Sequence, residues 1–527
     1  MNIAHRIREA SSLYSDKPSV TFSKRLSDGS YEYPFYTFEE FEKRSNQFAN
    51  KLTRLGIKPG TRTLLFVKPC LDFSIITFAL FKIGAIPVLI DPGMGIKNLL
   101  RSIKQVRPEA MVSIGLVHWI RRFKSLPFSD VKIKVSLDKV GFSTKWIYED
   151  LEKESTDFEI FPAKDSDYSA ILFTSGGTGI PKGVLYTHGI LNAQTEALKE
   201  IFDLNSNQVD LPGFPLFALF TLAMGMTSVV PDLDPTKPAK CHPDRIVRNI
   251  LENNITFVAG SPTIWERVGK YCLDNKIKLP TLKYVVMFGA PVRAEIHSMY
   301  KNILTDGDTY TPYGATEGLP VSIVSGAEVL SNIKIGKGTL IGKAAPGIEL
   351  KIIKTSDIPE LGINENTAFE AGEIVVSGKQ ITPAYFEMPS ETEKAKIITD
   401  KLWHRMGDIG YLDDQKRLWF LGRKTHRVVC GNKTHYSIQV ESIFNQHVEV
   451  KRSALISFRD TIAVVIERHD KKTKMTPEFL SDLKKLALSS THTEMIKDFF
   501  LHPAFPVDVR HNIKIDRVAL AKWAQRG

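Results

Sequence analysis

The sequence predicts an α/β protein with a large N-terminal domain of several subdomains and a small α+β domain behind it. Three observations carry this reading. Short apolar runs of strand length at residues 64–67, 110–114, 170–173 and 284–288 alternate with helical patterns, as expected of a largely parallel α/β architecture. After about Arg423 the texture becomes a compact α+β pattern of roughly a hundred residues. With 527 residues and 43% hydrophobic content the chain can bury several cores, and domains of about 100–200 residues imply two to four structural units.

Taken in order, the chain opens with a predicted β-hairpin around Asp28-Gly29 and a helix that starts at Thr37 and ends at Gly56. Thr37 caps that helix, with Glu40 three residues on completing a capping box. Residues 73–90 form the most apolar stretch, but Lys82, Gly84 and Pro87 interrupt it, so it reads as a buried helix running into a buried strand and not as a membrane span. Residues 417–421 form an aromatic strand, and the polar Gly422-Arg423-Lys424-Thr425 behind it could act as a hinge. The expected domains are therefore 1–421 and 422–527, the second with a strand at 462–466 and helices after Ser437 and Thr476. No internal repeat is visible.

Charge and cysteine usage narrow the function. Seventy Lys and Arg against 59 Asp and Glu give +11, which favours anionic small substrates and is too thinly spread for nucleic acid to be the expected partner. Cys70, Cys241, Cys272 and Cys430 lie far apart, which argues against a zinc site and a disulfide framework. No HExxH or GxSxG occurs, so zinc proteolysis and ordinary serine hydrolysis have no footing.

The strongest local signal is LFTSGGTGIPKG at 172–183, read as a strand, a Gly-rich loop and then a helix beginning near Thr187. Backbone N–H groups of Gly176, Gly177 and Gly179, hydroxyls of Thr174, Ser175 and Thr178 and the Lys182 ammonium could converge on phosphate oxygens. It is not a Walker loop, because Lys182 follows Pro181 and no Ser or Thr comes after it.

With this loop and the segments that follow it in order, the chain resembles the adenylate-forming superfamily of acyl-CoA synthetases, firefly luciferases and peptide-synthetase adenylation domains. The resemblance implies that Gly289, Ala290 and Pro291 line the adenine, and that YGATE at 313–317 supplies an aromatic face (Tyr313, followed by Gly314), a phosphate- and metal-contacting Thr316 and a magnesium carboxylate, Glu317. It likewise implies that Asp408 holds the ribose hydroxyls with Arg423 beside it, and that Lys514, in HNIKIDR at 511–517, is a mobile catalytic lysine. The cofactors it implies are ATP and Mg2+, which suits a cytoplasmic protein. Chemistry asks for the same residue types. A carboxylate attacking an α-phosphorus meets negative oxygens, so cations must offset the repulsion.

Three segments narrow the match: LPGFPLFALF at 211–220 with PDLDPTKP at 231–238, GRKTHRV at 422–428, and FPVDVRHN at 505–512. These resemble the β-lactone synthetases of bacterial olefin biosynthesis, which implies adenylation of a β-hydroxy fatty acid whose own hydroxyl then expels AMP. Ala218 stands where many CoA ligases carry histidine and Thr425 where they carry an acidic or lysine hinge residue, and Gly177 replaces a usual Ser or Thr of the phosphate loop. The alternatives are an acyl-CoA ligase, which would need CoA, and a non-catalytic nucleotide or lipid sensor.

Other signals read more plainly. His404 and Asp408 match the HxxxD spacing of acyltransferases, but ribose binding explains Asp408 better. Residues 336–342 read as a turn. HWIRRFK at 118–124 could touch a membrane, although a surface helix with its apolar face inward is the plainer expectation. The acyl pocket is expected to draw on residues 214–226.

Overall fold

The computed structural model describes residues 1–141, 143–174, 180–356, 365–470, 474–507 and 515–526. The capping box forms as expected: Thr37 accepts from Glu40 N, Glu40 reaches back to Thr37 N, and the helix Phe38–Arg54 follows. Its buried residues Phe38, Phe41, Ser45, Phe48 and Leu52 recur every three or four positions and face the helix Leu71–Ile83. Lys82 is buried at that contact, where Glu42 Oε2 (2.7 Å), Ser45 Oγ (2.7 Å) and Asn46 Oδ1 (2.6 Å) surround its ammonium. Such a cation is retained inside only because every direction around it carries an oxygen.

Among the described residues two large sheets, with the small hairpin Lys24–Arg25 and Tyr31–Glu32 beside them, form the large N-terminal part. One has seven strands in the order Lys182–Thr187, Tyr168–Thr174, Ile86–Ile90, Arg62–Phe66, Ala110–Ser113, Ile133–Ser136 and Lys145–Trp146, parallel except for the first. Its strand Lys182–Thr187 corrects the expected order of elements. The Gly-rich segment joins two antiparallel strands, with Thr174 opposite Lys182, and the helix His188–Phe202 begins only after the second, capped by Thr187. That helix terminus is therefore separated from the loop by a whole strand and is not its phosphate dipole.

The second sheet has fourteen strands among the described residues. A parallel run, Thr227–Val230, Val209–Pro212, Phe257–Gly260, Tyr284–Met287 and Asp308–Ala315, passes into antiparallel strands from Gly318–Ser325 onward. The smaller C-terminal part has its own three-stranded sheet, Val450–Phe458, Thr461–Arg468 and Asp498–Leu501, and a core that includes Val440, Phe444, Val464, Phe479 and Leu483. Residues 336–342 hold the expected turn and then enter the strand Thr339–Ala344. Among the described residues no helix is long and apolar enough to cross a membrane.

The helix Gly115–Phe123 has the expected inward apolar side, Val117 and Ile120, but carries a second apolar side that faces solvent. Its His118 is buried against Val135 O (3.1 Å), but Leu116, Trp119 and Phe123 are exposed.

Asp210 fixes the segment ahead of the expected acyl pocket. Buried in the strand Val209–Pro212, its Oδ2 accepts from Thr221 Oγ1 at 2.8 Å and Ser228 Oγ at 3.5 Å, and desolvation pushes its carboxyl up to about 7. The unfolded chain releases this proton near the ordinary carboxylate value while the folded chain keeps it. The resulting stability is complete in acid and is lost as pH rises to about 7. Asp210→Asn, which is neutral throughout, is expected to gain roughly 1–3 kcal/mol on the wild type between about pH 5 and about pH 8. Chemical denaturation at both pH values checks this, and a constant difference refutes a protonated Asp210.

Candidate active site

Strand register brings the first charged pair together. Asp408 in Leu402–Leu412 lies opposite Arg423 in Leu418–Arg423, and the guanidinium reaches its Oδ1 at 3.1 Å. Tyr313 donates its hydroxyl to Asp408 Oδ2 at 2.6 Å. Burial, followed by the adjacent carboxylate, holds the Tyr313 phenol well above its usual value, so it stays a neutral donor. A buried carboxylate that accepts from Tyr313 on one oxygen and is ion-paired with Arg423 on the other is fixed in orientation.

Tyr313 leads into the hairpin between Asp308–Ala315 and Gly318–Ser325, whose turn carries Thr316 and Glu317. A Cβ at Gly314 would meet Gly318 O at 2.6 Å, so only glycine permits this close return. The turn is tied down from two sides. Tyr186 donates to Thr316 O (2.6 Å), the Thr382 backbone N–H donates to Glu317 O (2.9 Å), and the Tyr385 hydroxyl donates to Glu317 Oε1 (2.7 Å).

Lys182 opens the strand that pairs with Tyr168–Thr174. Its ammonium sits 4.9 Å from the Tyr385 ring centroid and 2.6 Å from Glu391 Oε2. Tyr385 therefore contacts both the expected phosphate lysine and the expected metal carboxylate. Its own segment is stitched to the Lys182 strand, with Phe386 N donating to Gly183 O at 2.7 Å and Tyr385 bridging Val184. Sequence reading missed Tyr186, Tyr385 and Glu391, and none of them stands in a recognisable local motif.

Gly289, Ala290 and Pro291 follow the strand Tyr284–Met287, which pairs in parallel with Asp308–Ala315 in the register Val286↔Tyr310. Gly289 leaves the strand just after its carboxyl end with φ +89, on the side of a parallel sheet where ligands are placed. Phe288 also meets Phe214 (6.3 Å between centroids) and Phe217 (5.9 Å), joining the expected adenine segment to the expected acyl segment. Cys70, Phe73, Pro212, Pro215, Ala218 and Val230 line an apolar pocket beside that segment.

Thr174 is described, but Ser175, Gly176, Gly177, Thr178 and Gly179 of the loop lie outside the described residues, as does Lys514. Arg517, three residues beyond Lys514 in sequence, is anchored by a two-pronged ion pair to Glu441 at 2.7 Å. The acyltransferase spacing does not make a base and its partner here: Asp408 is held by Tyr313 and Arg423, and His404 is buried, where desolvation holds its imidazole well below the usual value.

The AMP-binding enzyme family matches residues 7–386. The chain belongs to that family. It is therefore an enzyme of the ATP-dependent, AMP-forming ligase type, as its motifs imply. It is 36% identical to an olefin β-lactone synthetase of Stenotrophomonas maltophilia, over 99% of this chain and 98% of that one. Similarity to the 2-succinylbenzoate–CoA ligase of Oceanobacillus iheyensis is weaker, 25% identity over 84% of this chain and 83% of that one. In three dimensions the chain resembles the amide bond synthetase McbA from Marinactinospora thermotolerans, with a TM-score of 0.79 and 19% identity over 99% of each chain, a likeness of fold.

Proposed function

We propose that the protein joins a β-hydroxy fatty acid to AMP, releasing pyrophosphate, and then lets the acid's own hydroxyl close a β-lactone. In the first step a carboxylate oxygen attacks the α-phosphorus of ATP and the bond to pyrophosphate breaks. In the second the hydroxyl oxygen attacks the acyl carbon, the bond to AMP breaks and the hydroxyl proton is released. Because the second nucleophile is tethered to the electrophile, much of the orientational entropy is already lost in the substrate, and no thiol site is needed.

The observation that carries this reading is the 36% identity to an olefin β-lactone synthetase over 99% of the chain, against 25% to a CoA ligase. Ala218 and Thr425 agree with it, standing where thioester-forming relatives carry ionisable side chains. The Tyr313–Asp408–Arg423 cluster would grip the ribose, the loop from Thr174 to Gly179 with Lys182 the phosphates, and Gly289 to Pro291 the adenine. Lys514 would bridge the carboxylate and the α-phosphate.

Mg2+ would be held by Glu317 and Thr316, where it supplies positive charge against the departing pyrophosphate. Among the described residues no group of three or more His, Cys, Asp or Glu is gathered for a metal. A single carboxylate on a fixed turn fits an ion that keeps water and phosphate oxygens as its other ligands. Residues 1–421 and 422–527 would be the two domains, with Gly422 to Thr425 the hinge. Gly422 has φ +129, and a rotation would break contacts that include Lys424 on Glu373 (3.0 Å) and Gln439 on Gly336 O (3.2 Å).

Purified protein given ATP, Mg2+ and racemic β-hydroxy acids, with and without CoA, is expected to yield AMP and β-lactone without CoA by mass spectrometry. A thioester that forms only with CoA, or no AMP at all, refutes the reading.

A further inference from the structure

The helix Gly115–Phe123 and the turn Leu126–Phe128 behind it present an apolar face to solvent. Leu116 is 64% exposed, Trp119 49%, Phe123 75% and Leu126 67%. The spacing of Leu116, Trp119 and Phe123 puts them on one side of the helix, and the Trp119 and Phe123 rings stack with centroids 6.2 Å apart. This is not a loosely held segment. Val117, Ile120 and Phe128 on the other side pack with Ile103 and Val106 of the neighbouring helix Ile96–Val106 into one core.

Charge distinguishes this face from the rest of the molecule. From Lys97 to Lys124 there are seven lysines and arginines and a single acidic residue, Glu109, whereas the chain as a whole carries 70 basic and 59 acidic residues. Glu109 is paired with Arg62 at 2.9 Å. Asp138 bonds Gly115 N at 2.5 Å, at the end of the helix away from Arg122 and Lys124. Lys97, Arg101, Lys104, Arg122 and Lys124 are exposed.

We propose that this face docks the protein on an anionic lipid surface, with Trp119 and Phe123 at the boundary of headgroups and acyl chains and the cations among the headgroups. An amphipathic aromatic at the interface combined with basic neighbours is the chemistry such surfaces retain. At nine residues the helix can lie on a bilayer but not span it. A second copy of the chain is disfavoured, because a two-fold contact through this face would bring the same cations against one another. The proposal does not depend on the reaction proposed above.

The test is flotation of the full chain with phosphatidylglycerol and with phosphatidylcholine vesicles, alongside the double variant Trp119→Ser/Phe123→Ser and the charge variant Arg122→Glu/Lys124→Glu. Wild-type protein is expected to float with the anionic vesicles and not the neutral ones, and each variant to bind about tenfold less. All of these side chains are exposed, and thermal melts matching wild type establish that the variants fold. Failure to float with anionic vesicles overturns the proposal. So does equal binding by the Trp119/Phe123 variant, or a wild-type dimer in sedimentation that this variant abolishes.

Discussion

Lys514→Ala is expected to lower acyl-AMP formation by about 10²–10³-fold while leaving the melting temperature unchanged. The carboxylate and the triphosphate repel each other along the line of attack, and the repulsion is greatest when the new bond is half formed. An ammonium that touches both sets of oxygens at that point acts mainly on the transition state, so its removal should appear in kcat and far less in KM for ATP. The chain that follows is anchored by other residues: Arg517 pairs with Glu441 at 2.7 Å, and Leu520 and Ala524 are buried in the next helix. Exchange of labelled pyrophosphate into ATP measures the step directly. A variant that exchanges at the wild-type rate removes Lys514 from the mechanism.

How much of this could be read from the residues depends on how far apart the partners lie. The Thr37–Glu40 capping box and the helix–strand succession within 73–90 are set by neighbours a few positions away, and both formed as expected. The strand Lys182–Thr187 pairs with the nearby Tyr168–Thr174, and only the bridge on its other side, Val184 to Tyr385, comes from some two hundred residues downstream. Nothing in the pattern around Val184 distinguishes it from a loop entering a helix. The outward apolar side of the helix Gly115–Phe123 went unread for another reason. The helix has apolar residues on two sides, Val117 and Ile120 on one and Leu116, Trp119 and Phe123 on the other, and periodicity alone does not say which side the sheet covers. Within the site, resemblance supplied Asp408, Arg423 and Tyr313 one by one, and the register Asp408↔Arg423 is what makes them a cluster. Tyr385 had no local signal, since a tyrosine matters here through Lys182 and Glu317, both distant in sequence.

That contact shapes the second large effect. Glu317→Gln is expected to slow adenylation by about 10²-fold and to raise the Mg2+ concentration needed for half-maximal pyrophosphate exchange. Glutamine has the same shape, and its carbonyl oxygen can still accept the Tyr385 hydroxyl that lies 2.7 Å from the carboxylate in the wild type. The turn itself is held through backbone oxygens, by Tyr186 on Thr316 O and by Thr382 on Glu317 O, so the substitution leaves its frame in place. What changes is one formal charge at the position where a hard cation would meet the protein. If Glu317 works by that charge, added Mg2+ should recover part of the lost rate, whereas a purely structural role would leave the Mg2+ titration unmoved and lower the melting temperature instead. Glu317→Ala, which also strips the Tyr385 hydroxyl of its acceptor, should lose stability as well as rate, and the difference between the two variants separates the orienting bond from the charge it orients.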